Sequence, residues 1–547
     1  MKKYAFMAAC AMLALSAAAQ DTYENARFLG SDLNGTARYV GMGGALEALG
    51  ADISTMSSNP AGIGLFRHSF ISLSFGGVNQ QDAKKFDNVG TTNLSFDQVG
   101  FVYSMQDDDD NFLNFGFNYH KSRNFDQILT AANRLQASSL AKHVFGKSTL
   151  GTDANGGYTL ETNTNGEWMG WRGSSDFRSN AYTQLDYMYT NAVTMDDVNT
   201  TDGTGAIVPI NTYMEASDYW FNRAHSGWIS DFDFNISGNL ENRVFLGMSF
   251  GIKAVYYKGY SIYGENILDA SNTPQGNHQL ADERKIDGTG IDLKFGAIFR
   301  PIEESPFRIG IAITTPTWYN LESRNYSTLY NNTNQAVYNF GADNFSSSES
   351  YEFKYYTPWK FGLSMGHTVE NYLALGASYE YSGYGSADTR VIDGYDTYGN
   401  EDSYSDDAMN DNTDRSLKGV HTLKLGAEMK PDPSFAIRLG YNYVSPTYET
   451  TGYRDNGLFS EGNTYASTAD YTNWEATHRI TCGMGYKYQN MNFDVAYQYS
   501  TTNGTFHPFQ DSQFRDPDDN TLLTNIGMPT SVSNKRHQLL FTIGYTF

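Results

Sequence analysis

Cysteine is nearly absent from the 547-residue chain: there are two, Cys10 and Cys482. Cys10 falls in the leader described below, so the remainder has no internal disulfide. Proline is sparse at 13, and hydrophobic (40%) and charged (18%) residues both fall below the globular average. Basic residues are the scarcer charge, 38 Lys and Arg against 61 Asp and Glu for a formal net charge of −23, with no Lys- or Arg-rich stretch. Phosphate backbones need a basic surface, so a nucleic-acid partner is excluded. No apolar run after residue 20 reaches the roughly 18 residues of a spanning helix. What is abundant is Gly (52), Tyr (40) and Phe (34), with Asn, Ser and Thr in place of the Glu and Lys of a disordered chain. That is a β-type composition.

Residues 1–19 read as a cleaved export signal. Lys2 and Lys3 supply the positive end, Tyr4 to Leu15 an apolar stretch too short to span a bilayer, and Ala17, Ala18 and Ala19 a small-residue cleavage site before Gln20.

The C-terminal stretch has period two. Leu539, Phe541, Ile543, Tyr545 and Phe547 share one face, and Gln538, Thr542, Gly544 and Thr546 the other. The same split recurs in Leu373 to Ser382, Phe435 to Tyr443, Phe493 to Tyr499 and Ile291 to Arg300. A soluble sandwich also alternates, but these strands are longer than its usual five or six residues and Tyr crowds their ends like an interfacial girdle. Fourteen strands are expected, near 68–77, 93–105, 111–121, 228–240, 243–257, 285–300, 306–316, 351–367, 371–384, 417–430, 433–446, 474–488, 491–501 and 535–547. The second slips phase between Phe96 and Val99, which predicts a bulge near Asp97 and Gln98. Short and long connections alternate strictly, as in outer-membrane barrels with short periplasmic turns and long external loops. The expected fold is all-β: a 14-stranded antiparallel transmembrane β-barrel over 68–547, an N-terminal plug over 20–67 and long extracellular loops, the longest 122–227.

Gly41, Gly43 and Gly44, then Ala51-Asp52, then Asn59-Pro60-Ala61 and Gly62 stand just before the first strand. In order and spacing this resembles the FadL/TodX family of outer-membrane transporters for hydrophobic compounds, although Ile53 replaces the family's second acidic residue. Asn59-Pro60 initiates a turn and Gly62 permits a left-handed step, which suits a compact plug. The resemblance implies a plugged fourteen-stranded barrel, likeness over essentially the whole mature chain, and passive uptake of small hydrophobic molecules, long-chain fatty acids being the family's best-known substrate class. It also implies an external loop that captures the ligand. Phe125, Ile128, Leu129, Leu135 and Leu140 lie at near-helical spacing in loop 122–227 and are the candidates, with plain packing of a helix on neighbouring loops as the competing use.

Lys294, Arg300, Arg308, Lys360, Glu380, Glu428, Arg438, Arg479 and Asp494 fall on the inward phase and read as ion pairs bracing wall and plug, a polar-solute porin being the sharper alternative. PorV-type relatives give a further alternative, a barrel serving a protein-secretion assembly. The ten histidines form no metal-spaced cluster, Asp107 to Asp110 have no ordered ligand spacing, and no nucleophile, base and oxyanion constellation can be assembled. The expectation is therefore no enzyme, no metal and no cofactor. Expected partners are a hydrophobic molecule or lipid, outer-membrane lipids and lipopolysaccharide, and the barrel-assembly machinery reading Phe547. Secretion-machine subunits are the partners of the alternative. The expected form is a monomer in the outer membrane of a Gram-negative bacterium.

Overall fold

The structure is a computed structural model. It describes residues 21–108, 111–149, 159–162, 168–172, 182–193, 195–201, 207–211, 213–269, 271–333, 344–395, 401–515 and 521–547. The export-signal reading of 1–19 lies outside the described residues.

The wall is built from eighteen strand segments: β1 (Phe70–Gln81), β2 (Thr92–Asp108), β3 (Asn111–Asn124), β4 (Gln127–Ser138), β5 (Glu215–Leu240), β6 (Val244–Leu268), β7 (Pro274–Phe299), β8 (Arg308–Thr314), β9 (Trp318–Thr333), β10 (Asn344–Tyr356), β11 (Lys360–Val369), β12 (Leu373–Gly383), β13 (Asp388–Tyr395), β14 (Gly419–Asp432), β15 (Phe435–Val444), β16 (Tyr471–Tyr488), β17 (Met491–His507) and β18 (Thr530–Thr546). Four wall positions are held by two segments in series: β3 with β4, β8 with β9, β10 with β11, and β12 with β13. The wall therefore has fourteen positions, all antiparallel. Two interruptions fall at Pro316 and Pro358, where the ladder loses a donor. β18 pairs with β1 from Phe70↔Thr546 to Gln81↔Lys535, so the wall closes on itself.

All fourteen expected strands are present in order. On β18, Leu539, Phe541, Ile543 and Tyr545 are 39–43% exposed while Leu540 between them is fully buried, the split expected of lipid outside and packed interior. Cys482 is exposed on the same face of β16 as Ile480 and Met484. Opposite Ser74 and Phe75 stand Gln98 and Phe96, leaving Asp97 as the predicted bulge. The tight turn between β5 and β6 places Glu241 and Asn242 at φ 50° and 53° and closes with Arg243 N donating to Leu240 O at 3.0 Å, the left-handed pair of a primed turn.

Two expectations are corrected. β5, β6 and β7 run 25–26 residues, far beyond the roughly ten that cross a bilayer. At the far end of β5 a slip leaves Ser217 unpaired and shifts its phase. The stretch after Phe125 is not helical either: β4 occupies Gln127–Ser138 and pairs with β5, and a helix begins only at Leu140. Leu129, Ala131 and Leu135 are buried with strand period, so pairing to β5 overrode a spacing that fits helix equally well.

Candidate functional site

Residues 21–67 fold inside the barrel as short helical turns, Thr22–Asn25, Ala37–Gly41, Ile53–Ser57 and Pro60–Leu65. They are seated against inward-facing wall glycines. A Cβ on Gly296 would stand 2.0 Å from Asn59 Oδ1, and one on Gly440 would stand 2.2 Å from Gly43 N. Gly43 itself has φ +64° and is wedged so that its own Cβ would meet Leu425 O at 2.9 Å. Gly41 faces Gly483, and Gly44 packs on Leu33 and Lys424.

Asp52 ties the segment together. It accepts from Thr36 Oγ1 at 2.9 and 2.8 Å and from Ser54 N at 3.0 Å. Burial pushes its carboxyl up, against the pull of Arg38. Asn59 caps the last turn by accepting from Ala61 N at 3.2 Å, Pro60 O accepts from Ser237 Oγ at 2.8 Å, and Gly62 O accepts from Ala51 N at 3.0 Å. The eight residues singled out from the sequence thus all sit in one docked body. Around it the inward charges pair: Glu428 Oε2 accepts from Arg438 Nε at 2.6 Å and Arg38 Nε at 3.2 Å, Asp494 takes Arg438 Nη1 at 2.6 Å, and Lys424 bridges Glu47 and Glu380 at 2.7 Å each.

Toward the outer end the interior opens into a cavity of about 390 Å³ between the inner segment and the wall. One side is aromatic, with Phe28, Phe125, Tyr319, Tyr384 and Tyr448 in the lining. On another, three guanidiniums surround a single carboxylate: Asp32 of the inner segment lies 3.9 Å from Arg123 Nη1 and 3.8 Å from Arg479 Nη2, and Arg536 completes the set. Burial would raise the Asp32 carboxyl, but Arg123, Arg536 and Arg479 outweigh it and hold it below the usual range. Elsewhere in the lining His120 and Asp231 stand beside Asp233, with ligand-type atoms within 4.8 Å of one another. Lys253 sits on Asp231 and Lys294 on Asp233 Oδ1 at 2.7 Å, so two of the chain's own ammoniums already balance these carboxylates, while Asp233 Oδ2 faces His120 Nδ1 at 3.7 Å.

The cavity reaches a gap in the wall. The β2–β3 ladder ends at Gln98↔His120. Beyond it only side chains bridge the two strands, Lys121 Nζ to Ser95 Oγ at 2.9 Å and Asn93 Nδ2 to Asp126 Oδ2 at 3.0 Å, and Asp97, Lys121 and Asp126 line the cavity here.

The loop residues expected to capture ligand are buried instead. Leu129, Leu135 and Leu140 belong to an outer core with Tyr219, Phe221 and Phe506. Ile128 is clamped to the Gln80 side chain by two bonds of 2.7 Å. Of this set only Phe125 meets the cavity, its ring 6.0 Å from Phe28. Phe547 ends at the opposite rim, donating to Ser69 O at 3.0 Å. Sequence reasoning missed Asp32, Arg123 and Arg536; extending the inward phase of the last strand upward past residue 538 would have found Arg536.

The chain matches no family model and no curated protein. Among solved structures it is similar to the toluene transporter TbuX of Ralstonia pickettii (12% identity, 94% of this chain and 99% of that chain, TM-score 0.46). It is also similar to a FadL homologue of Pseudomonas aeruginosa (12%, 95% and 100%, 0.48) and to the toluene transporter TodX of P. putida (11%, 94% and 99%, 0.46). The FadL/TodX resemblance read from the sequence reappears in these neighbours.

Proposed function

We propose that this chain is an outer-membrane uptake protein of a Gram-negative bacterium. It passes small hydrophobic molecules that carry an acidic group, fatty-acid-like in build, by passive diffusion and without a catalytic step. The observation that carries this reading is the two-sided cavity: aromatic rings offer an apolar surface, and Arg123, Arg479 and Arg536 converge on Asp32, with Asp126 beside Arg536 as a second carboxylate. An apolar tail gains roughly 25 cal/mol per Å² buried against the rings, while an anionic head takes the place that Asp32 now holds. Because Asp32 belongs to the inner segment, a ligand that displaces it loosens the segment's outer end. The side-chain-bridged gap between β2 and β3 offers the route to or from the bilayer.

The test is mass spectrometry of small molecules retained by the purified protein, followed by binding of an alkyl carboxylate and of its uncharged alcohol. Wild type is expected to prefer the acid by about tenfold, from a charge-assisted hydrogen bond worth about 1.5–3 kcal/mol, and R123A/R536A to lose that preference. Equal binding of acid and alcohol by wild type would sink the reading. A stoichiometric protein partner with no retained ligand would instead favour a role in a secretion assembly.

A further inference from the structure

The outer face of the second half of the wall repeats a construction that passage through the interior does not use. Three strands present two tyrosines on their outward phase, Tyr379 and Tyr381 on β12, Tyr441 and Tyr443 on β15, and Tyr497 and Tyr499 on β17. On the following strand a histidine stands directly opposite the second tyrosine, Tyr381↔His421, Tyr443↔His478 and Tyr499↔His537. Opposite the first is an aliphatic residue, Leu423, Ile480 and Leu539. In every copy the first tyrosine's hydroxyl meets the histidine Nδ1, at 2.7, 2.8 and 2.6 Å. The second tyrosine's ring lies 5.1, 5.3 and 5.1 Å from the imidazole. The copies recur at every second wall position, a spacing of about 10 Å along the wall, at the outer end of the apolar band.

With the tyrosine hydroxyl as donor to Nδ1, the neutral ring carries its proton on Nε2, the sense that an amide oxygen facing Nε2 favours in the third copy. That edge is a donor and needs an acceptor. In the third copy the chain supplies one: His537 Nε2 lies 3.0 Å from Gln81 Oε1 on β1, and the ring is half-buried. His421 and His478 are exposed, and among the described residues no protein acceptor meets their Nε2, nor the hydroxyls of Tyr381 and Tyr443 beside them. Two neighbouring donors thus face the headgroup layer in each open copy.

The regular spacing matches a partner that is itself a layer, and the layer's strong acceptors are phosphate oxygens. We propose that His421 with Tyr381, and His478 with Tyr443, form two equivalent binding sites for the phosphate-bearing headgroup of an outer-leaflet lipid, and that His537 is the same site closed internally by Gln81. This rests on the wall facing lipid, not on what the interior carries.

The test is native mass spectrometry of the full-length protein in detergent, titrated with bisphosphorylated lipid A and, separately, with its dephosphorylated form. Wild type is expected to retain two more copies of the phosphorylated lipid than H421F/H478F, whereas H537F matches wild type. Q81A, which opens the third site without touching a histidine, is expected to gain one copy. Heat-modifiable migration on gels reports that each variant is folded. Equal retention by wild type and H421F/H478F, equal retention of phosphorylated and dephosphorylated lipid, or no gain in Q81A would each overturn the proposal.

Discussion

The two halves of the barrel interior use the same strands differently. In the half occupied by Ala37–Leu65 the inward positions are glycines that let the inner segment's backbone approach, and the charges there are matched: Glu428 between Arg38 and Arg438, and Lys424 between Glu47 and Glu380. In the outer half the inward residues are long, they leave a cavity of about 390 Å³, and three arginines share Asp32. One half is filled and close to charge-matched, and the other is open with arginines beside empty space, which under the proposed function makes the first a stopper and the second a receptacle. On the proposed reading, an anion's site is distinguished less by the presence of charge, which both halves have, than by charge left incompletely matched beside empty space.

The largest effect is expected from unmatching the filled half. Glu428→Gln leaves the buried Arg438 with Asp494 alone and takes from Arg38 its paired carboxylate, so the cost lies toward the lower end of the about 3–5 kcal/mol of a broken buried pair. Protease accessibility of the inner segment in the folded, heat-modifiable barrel measures this, and an unchanged digestion pattern would show that the network does not hold the segment. Next in size is Gly440→Val. Its Cβ would meet Gly43 N at 2.2 Å, backbone against backbone, and overpacking of this kind costs about 1–3 kcal/mol. Single-channel recordings should then show open events that are absent or rarer in wild type. If G440V stays as closed as wild type, the glycine seat does not control closure.

In the outer half the expected effect is smaller and depends on pH. Because the arginines lower the Asp32 carboxyl, its contribution to docking is fully present above the ordinary aspartate value of about 3.9 and is lost as pH falls through the lowered one. Docking near Asp32 should therefore be flat from pH 7 to 5 and weaken only below about pH 4. Asp32→Asn should remove that acid dependence and bind an alkyl carboxylate several-fold more tightly, since no carboxylate then competes for the arginines. A fluorophore on the inner segment reads the first outcome and calorimetry the second; weaker anion binding by D32N would contradict displacement.

How far this contrast was legible in the sequence follows from the range of the forces involved. The strands declared themselves because lipid on one side and packing on the other impose period two, and even the bulge at Asp97 showed as a slip in phase. The inner segment showed in local turn chemistry at Asn59-Pro60. The small inward residues at Gly296, Gly376 and Gly440 were visible but read as lumen, although glycines at that height are the imprint of a backbone packed against the wall. The outer half was harder. β4 and the outer reach of β5 are stabilised by each other across long stretches of chain, from Ser138↔Ala216 to Gln127↔His225, and Asp32 meets Arg123, Arg479 and Arg536, so that four distant places in the chain converge. Nothing in local spacing encodes such a meeting.

The smallest expected effect concerns the motif that carried the family resemblance. Asn59 caps the turn Pro60–Leu65 through Ala61 N, and losing a cap of this type costs about 1 kcal/mol. Its Nδ2, however, is buried without a hydrogen-bond partner and lies close to Gly310. Asn59→Ala removes that unsatisfied group together with the cap, and a buried unpaired donor costs about 1–3 kcal/mol, so the two changes oppose each other. Assembly and docking should therefore survive N59A nearly unchanged, with uptake impaired. A residue that barely contributes to the docked state yet is needed for passage acts in the displaced one, where Nδ2 is free to find a partner. If N59A instead undocks the segment, Asn59 serves the stopper alone, and the division of labour between the two halves is sharper than proposed.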